Sequence, residues 1–159
     1  MRRVLIVVNQ VLEDERLCCK VAEYVAQGRC QFHVLVPATC RSTQHRFVWT
    51  EGESRALARV RLNETLDRLH AIGADAEGQV GDGQPLAAIR DLLSAQRFDE
   101  ILLSTRRPGV SRWLAGDLHH RVARVFALPV SSVLARPAAA GRVAGAGYEN
   151  RRLSPAAAG

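Results

Sequence analysis

Lysine, aromatic residues and long apolar runs are scarce in this chain of 159 residues. No apolar run approaches the ~20 residues that a transmembrane helix needs, which excludes a helical membrane protein from the expected classes. The amino terminus carries two arginines and a short apolar run from Val4 to Val8, but no small-residue cleavage site follows it. A signal peptide needs a longer run and such a site. We therefore expect a first β-strand at this position and a cytoplasmic protein with no membrane partner.

Catalytic and metal-binding signatures are also absent from the sequence. The four cysteines do not form a Cys-x-x-Cys pair or any other zinc-ligand spacing. Asp117 and His120 are three residues apart and would share a face of a helix, but two ligands do not make a metal site. Neither a Gly-x-Ser-x-Gly elbow nor a Cys/His pairing occurs. The sequence therefore predicts no metal site and no catalytic residue, and we expect the protein not to be an enzyme.

The positive charge is concentrated in the last third of the chain. Residues 1–100 carry 13 basic and 14 acidic side chains, whereas residues 101–159 carry 9 basic and 2 acidic ones. Such a surplus attracts anions or nucleic acid. Aromatic residues make up only 5% of the chain, and no nucleic-acid-binding motif is present. The pattern favours a small anion or nucleotide over nucleic acid as the partner.

Two kinds of segment alternate along the chain. Short apolar runs bounded by turn residues predict five strands, at 2–8, 31–37, 74–80, 99–104 and 129–135. Segments with helical apolar spacing lie between them, at about 13–27, 51–71 and 85–96, with a fourth whose apolar stripe is Leu114, Leu118, Val122, Val125 and Phe126. This alternation is typical of an α/β fold with a five-stranded parallel sheet and helices on both faces.

The chain divides into one folded unit and a tail. Residues 1–135 contain all the predicted elements, so we interpret them as a single α/β domain. Residues 136–159 are rich in Ala, Gly, Pro and Arg and show no apolar period. Such a segment does not bury enough surface to offset its ordering entropy, so we predict a disordered basic tail.

The segment STRRPGVSRWLAGDLHHR, residues 104–121, follows the fourth predicted strand. In a nucleotide-binding α/β protein this position holds the phosphate loop, in which glycine amides and a helix amino terminus surround the phosphates. Here arginines occupy much of the loop, and Asp117 follows its last glycine, Gly116. Arginine binds phosphate or carboxylate through two parallel hydrogen bonds, whereas an ionised carboxylate repels a triphosphate.

Several pieces of the sequence resemble the universal stress protein family in that family's order. They are RVLIVV at the start, FHVLVPAT in the second strand, VGDGQPLAAI, DEILLS, and GVSRWLAGDLHHRVARVFALPVSSV near the end of the domain. The resemblance covers residues 2 to about 135. It implies a flavodoxin-like (Rossmann-like) sheet of strand order 3-2-1-4-5 and a dimer formed through the last strand, residues 130–134. Some members of the family bind ATP and others have lost it.

The nucleotide-binding motif of that family, Gly-x2-Gly-x9-Gly-[Ser/Thr], is degenerate in this chain. Only Gly116 matches a motif glycine, and Asp117 replaces the final hydroxyl residue. The resemblance and the composition of the loop together suggest a set of ligand-binding candidates. They are Asn9, Val36, Gly81, Ser104, Thr105, Arg106, Arg107, Gly109, Ser111 and Gly116.

Three interpretations of the loop stay open: a site for Mg-ATP, a site for another nucleotide or small anion, and a loop without ligand. The function that the resemblance implies is a non-catalytic domain that acts in the stress response through a regulatory nucleotide, anion or protein partner, as a dimer. Two alternatives are an enzyme that transfers phosphate or hydrolyses nucleotides, and an adaptor whose basic tail binds nucleic acid or an acidic partner.

Overall fold

The computed structural model describes residues 1–8, 15–39, 50–106 and 112–135. Nine elements alternate along these ranges: β1 (Arg2–Val8), α1 (Glu15–Gln27), β2 (Cys30–Pro37), α2 (Glu51–Ala71), β3 (Asp75–Gly81), α3 (Pro85–Ala95), β4 (Glu100–Arg106), α4 (Arg112–Val125) and β5 (Val130–Ala135). Each predicted strand is present within one or two residues of its expected bounds. The predicted start of the first helix near residue 13 and the predicted disorder of the tail 136–159 lie outside the described residues.

The five strands form one parallel sheet in the order β3-β2-β1-β4-β5. This order confirms the flavodoxin-like topology that the resemblance implied. The chain first winds from β1 outward to β3, and then crosses β1 to add β4 and β5 on the other side. The two windings place their helices on opposite faces, because right-handed crossovers in opposite directions cover opposite sides of a sheet.

Strand β1 lies at the centre and is buried on both faces. Val4, Ile6 and Val8 contribute to the apolar cluster beneath α1 and α2. Leu5 and Val7 point to the other face, into the cluster formed with α3 and α4. This period of two explains why the strand is a continuous apolar run in the sequence, since each face needs its own apolar row. Burial of each such side chain stabilises the fold by about 1.5–3 kcal/mol.

Helix α2 shows how local sequence signals set the bounds of an element. At its start, the Thr50 side chain accepts from the Glu53 amide and the Glu53 carboxylate accepts from the Thr50 amide, which is a capping box. At its end, Gly73 has a φ of 77° and donates to the His70 carbonyl, while the Ala74 amide donates to Leu69. This pair of bonds is a Schellman motif, which requires a left-handed residue that glycine adopts without steric cost.

One part of the predicted stripe on α4 differs from expectation. Leu118 and Val122 are buried against the sheet, but Val125 is 49% exposed. Residues 118 and 122 are four apart and therefore lie nearly above one another on the face that contacts β4. Val125 lies at the margin of that face, at the last turn of the helix, where nothing among the described residues covers it fully.

Candidate ligand-binding edge

The strand order creates a switch point between β1 and β4 at the carboxyl edge of the sheet. These two strands are direct neighbours, with Val8 paired to Ser104 near their ends. The chain leaves β1 towards α1 on one face and leaves β4 towards α4 on the other face. Helices α1 and α4 therefore lie on opposite faces at this point, and ligands of open α/β sheets bind at the carboxyl edge beside such a switch point. The residues that make these connections, 9–14 and 107–111, lie outside the described part of the chain.

The end of β4 is longer than the sequence predicted. Thr105 and Arg106 were expected in the loop, but both belong to β4 and pair with Leu134 and Ala135 of β5. The strand extends because the parallel ladder with β5 continues to its last residue, and the apolar pattern alone does not show this pairing. Ser104 is fully buried and the Thr105 side chain is nearly so. This expectation about the loop was wrong, and its first residues are instead part of the sheet.

Helix α4 begins at Arg112, and Gly116 therefore lies within its second turn. The first four amides of an α-helix have no acceptor inside the helix, whereas the fifth donates to the carbonyl four residues before it. The Gly116 amide is the fifth. The structure thus places this glycine inside the helix, where its amide has an intrahelical partner, and not among the free amides at the amino terminus.

The ends of β2 and β3 form a tight corner on the other side of β1. The Ala38 amide donates to the Gly81 carbonyl over 3.2 Å, and the Asp82 carboxylate accepts from the Gln84 amide over 2.7 Å. A Cβ atom at Gly83 would lie 3.0 Å from the Ala38 carbonyl oxygen, so the turn after β3 lies directly against the end of β2. Val36 is only 1% exposed, because its side chain belongs to the core beneath α1 and α2.

The structure brings some of the predicted candidates to one edge. Ser104, Thr105 and Arg106 lie at the end of β4, and Val36 and Gly81 lie at the ends of β2 and β3. The remaining loop candidates and the one after β1 lie outside the described residues: Asn9, Arg107, Gly109 and Ser111.

One polar residue at this edge was missed by the sequence analysis. Thr39 follows β2, and its hydroxyl oxygen is buried and has no hydrogen-bond partner among the described residues. Its own amide donates to the Pro37 carbonyl over 2.8 Å. No sequence signal distinguishes Thr39, because a threonine after a strand is an ordinary turn residue.

The opposite, amino edge of the sheet carries a buried carboxylate. The Glu100 side chain is 4% exposed and accepts hydrogen bonds from Tyr24 Oη at 2.7 Å, from Ser131 Oγ at 2.6 Å and from Arg2. The Arg2 guanidinium also lies 5.0 Å from the centre of the Tyr24 ring. These four residues belong to β4, α1, β5 and β1, so the cluster joins both sides of the switch point.

Protonation in this cluster follows from burial and hydrogen bonding. Burial raises the pKa of Glu100, but the hydrogen bonds from Ser131 and Tyr24 and the charge of Arg2 outweigh it and hold that pKa below its usual value. Burial, together with the hydrogen bond to Glu100 and its charge, raises the pKa of Tyr24 to about 12. The carboxylate is therefore ionised and the phenol neutral across the physiological range. This cluster lies at the edge opposite the carboxyl edge. We interpret it as a structural cluster that stabilises the packing of the elements it joins.

Other chemistry is sparse in the described residues. They contain no group of three or more metal-ligating side chains. None of the helices in the same ranges has the length and apolar character that a bilayer crossing requires. A shallow groove does lie at the amino edge, and it is lined by Leu93, Gln96, Arg97, Phe98, Val125, Phe126, Ala127 and Leu128.

Three solved structures have the same architecture. One is a universal stress protein in complex with cAMP, with 18% identity, a TM-score of 0.58, and alignment over 85% of this chain and 98% of that one. Another is a universal stress protein from Archaeoglobus fulgidus, with 15% identity, a TM-score of 0.60, and coverage of 83% and 98%. A third is a universal stress protein family protein from Arabidopsis thaliana with AMP bound, with 14% identity, a TM-score of 0.53, and coverage of 86% and 93%.

At sequence level the comparisons give nothing further, since no protein-family model and no curated protein matches the chain. At identities of this size a structural likeness is evidence about the fold. The strand order, the placement of the helices on the two faces and the near-complete alignment of the three structures agree with one another. The chain has the universal stress protein fold.

Proposed function

We propose that this protein is a non-catalytic regulatory domain of the universal stress type, which binds an adenine nucleotide at the carboxyl edge of its sheet and acts in the stress response. The observation that carries the proposal is the switch point between β1 and β4, from which the chain continues to helices on opposite faces of the sheet. Two proteins with this fold have been seen with cAMP and with AMP bound, which supports a nucleotide as the ligand.

The chemistry at the end of β4 supports an anionic group in the ligand. The strand carries Ser104 and Thr105 to the edge and ends at Arg106, and Arg107 follows directly. The amino terminus of α4 begins six residues after the strand ends, and its unpaired amides favour negative charge. In this proposal the two arginines replace the glycine amides of the usual motif, because a guanidinium binds a phosphate through two parallel bonds.

The proposal includes no bond-breaking step. Asp82, one carboxylate considered for holding Mg²⁺, uses one of its oxygens to accept from the Gln84 amide within its turn. The other, Asp117, follows Gly116 in α4. If the protein hydrolysed ATP steadily above background, and an Arg106→Ala, Arg107→Ala variant lost this activity, the result would contradict the regulatory proposal and favour the phosphate-transferring alternative.

We further propose that two copies associate through β5. This strand is an edge of the sheet and pairs only with β4 among the described strands. The Ile101 amide donates to the Pro129 carbonyl, and alternate residues of a parallel strand direct their backbone groups to the same neighbour. Ser131 therefore faces β4, and the exposed Ser132 presents its amide and carbonyl to the open edge, where a second copy can pair.

The ligand is tested by thermal unfolding of the full chain with ATP, ADP, AMP or cAMP, each with and without Mg²⁺. A ligand present at 100 times its dissociation constant stabilises by about 2.7 kcal/mol, which raises the melting temperature of a protein of this size by about 5–10 °C. We expect such a rise with at least one nucleotide and its loss in the Arg106→Ala, Arg107→Ala variant.

A matched control separates a site from general charge. Arg29 and Arg97 are both exposed and lie at the amino edge, and their replacement by alanine removes the same charge. This control variant should keep the full nucleotide response. A panel in which no nucleotide changes the melting temperature of the unaltered protein refutes nucleotide binding.

A further inference from the structure

A shallow groove at the amino edge of the sheet has no role in the proposed function. It lies where α3 and α4 end and where β4 and β5 begin, and its volume is about 410 Å³. Known ligand pockets have volumes of about 300–1,000 Å³, so this groove has room for one or two side chains of a partner. We call it the amino-edge groove, and its described lining residues are Leu93, Gln96, Arg97, Phe98, Val125, Phe126, Ala127 and Leu128.

Apolar side chains form one part of the amino-edge groove. Val125 is 49% exposed, although it ends the apolar stripe of α4, and Phe126 beside it is only partly buried. An aliphatic or aromatic side chain of a partner would cover both residues and remove their apolar surface from water. Anchor residues of this kind, seated in a pocket, contribute most of the binding energy in protein interfaces.

Positive charge surrounds these apolar side chains. None of the eight described lining residues is acidic, and the lining residue Arg97 is exposed. Arg124 is exposed in the last turn of α4, and Arg3 donates to the Gln96 side chain over 2.9 Å. Asp99, which follows the lining residues of α3 in the chain, accepts from the Arg3 amide over 2.7 Å.

The balance of these charges is positive. The three arginines contribute three positive charges and Asp99 contributes one negative charge. The carboxyl termini of α3 and α4 each add roughly half a negative charge, because the helix dipole concentrates partial negative charge there. About one positive charge is left, so the amino-edge groove attracts an acidic group and repels a basic one.

We propose that the amino-edge groove docks a short acidic segment of a partner protein, in which an aliphatic or aromatic anchor residue lies beside the carboxylates. The anchor packs on Val125 and Phe126, and the carboxylates contact Arg97 and Arg124. The surface is concave, so a side chain can enter it, whereas the flat surface of an anionic membrane would rest on its rim. A segment docked here leaves the carboxyl edge, at the other end of the sheet, free for the proposed ligand.

The test uses the full chain and a labelled peptide, acetyl-Glu-Glu-Leu-Phe-Glu-Glu-amide, in fluorescence anisotropy and amide NMR spectra. Two control peptides separate the anchor from the charge: Glu-Glu-Ala-Ala-Glu-Glu lacks the apolar side chains, and Lys-Lys-Leu-Phe-Lys-Lys reverses the charge. We expect only the first peptide to shift the amide signals of residues 93–98 and 125–128. Its dissociation constant should be about 0.1–1 mM, because the contact is far smaller than a stable protein interface.

A first pair of variants tests the apolar contact. Val125→Glu puts a carboxylate into the groove at a residue that is already half-exposed, so the protein should keep its fold. Val60→Glu makes the same change at a valine that is 51% exposed on α2, the helix that covers the opposite face of the sheet. We expect Val125→Glu to weaken binding of the acidic peptide at least about fivefold, since it adds a like charge, and Val60→Glu to leave binding unchanged.

A second pair of variants tests the charge. Arg97→Glu, Arg124→Glu reverses two charges at the groove, and Arg59→Glu, Arg68→Glu reverses two exposed arginines of α2. An exposed charge contact contributes a factor of up to about five in affinity. The groove variant should therefore bind the acidic peptide about five- to twentyfold more weakly, and the α2 variant should bind it as the unaltered protein does.

Other results overturn the inference. It fails if the acidic and the basic peptide bind alike, if neither binds at millimolar concentration, or if the groove variants bind as well as their controls; binding of the peptide to the basic tail 136–159 would give this last result. If the full chain sediments with phosphatidylserine vesicles, and the Arg97→Glu, Arg124→Glu variant does not, while no peptide binds, the groove is a membrane contact and the proposal is wrong. No nucleotide is present in these experiments, so their outcome does not depend on the proposed function.

Discussion

Replacement of Tyr24 by phenylalanine tests the buried cluster around Glu100. The change removes the hydroxyl that donates to the Glu100 carboxylate over 2.7 Å and leaves the ring in place. A hydrogen bond to a charged group contributes about 1.5–3 kcal/mol. Because Ser131 and Arg2 still donate to the same carboxylate, we expect a loss near 2 kcal/mol, which lowers the melting temperature by about 4–8 °C.

The pH dependence of this loss identifies its origin. The pKa of Glu100 is lowered in the folded protein, so its ionised form contributes stability above the ordinary value of 4.5, and this contribution is lost as the pH falls through the folded pKa. In Tyr24→Phe the carboxylate has one hydrogen bond fewer, and its pKa is depressed less. The difference in stability between the two proteins should therefore shrink below pH 4.5.

The difference should shrink on the alkaline side as well. The pKa of Tyr24 is raised from 10.0 to about 12, so the neutral phenol contributes stability that is fully present below pH 10 and is lost as the pH rises towards 12. Tyr24→Phe has no phenol to ionise at this position. The stability of the unaltered protein relative to Tyr24→Phe should thus decrease at both low and high pH. The difference in unfolding free energy should have its maximum between about pH 5 and pH 10.

The assay is urea unfolding at a series of pH values for the unaltered protein, Tyr24→Phe, Glu100→Gln and the double variant. In the Glu100→Gln background no carboxylate remains at residue 100, so the acidic decrease in the Tyr24→Phe effect should vanish. A difference that stays constant from pH 7 to pH 3, or a Tyr24→Phe variant as stable as the unaltered protein at pH 7, would refute the argument.

Two further changes test the edge strand and a helix end. Ser132→Pro places a residue without an amide at the open edge of β5, where it costs no bond to β4, so the protein should stay folded and become monomeric in light scattering; a dimer that persists would contradict pairing through β5. Gly73→Ala forces a side chain into a φ of 77°, which costs about 1–2 kcal/mol and should lower the melting temperature by about 2–8 °C. Gly52→Ala is its control, because Gly52 lies within α2 without a positive φ and a Cβ there would be in ordinary contact with the Thr50 hydroxyl oxygen at 4.0 Å, so it should cause no loss; equal effects of the two glycine changes would contradict the role of the left-handed residue.

The elements of the fold were accessible from the sequence because their signals are local. A strand buried on both faces is apolar along its whole length, as in Val4–Val8, and a helix that covers a sheet repeats its apolar residues every three or four positions. The predicted end of the second helix, at residue 71, agrees with α2, and Gly73 follows it as the residue that adopts the left-handed conformation without cost. The order of the strands came from the family resemblance, and the pairing of the strands confirms it.

Features that depend on distant partners were not accessible in this way. The last two residues of β4 were assigned to a loop, because only pairing with β5 extends the strand to Arg106. Glutamate is rarely buried in proteins, and no local signal marks Glu100 as buried, yet the fold places it between Tyr24 and Ser131, which are 76 and 31 residues away along the chain.

The same distinction between local signals and distant partners applies to the candidate site. The sequence by itself determined that a loop with two arginines follows the fourth strand, since residue types and element order can be read directly. Only the tertiary structure decided that Thr105 and Arg106 belong to β4, that Gly116 lies inside α4, and that the hydroxyl of Thr39 has no partner among the described residues. The physical reason is that hydrogen-bond satisfaction and burial belong to pairs of groups brought together in space, and the chain order alone does not specify those pairs.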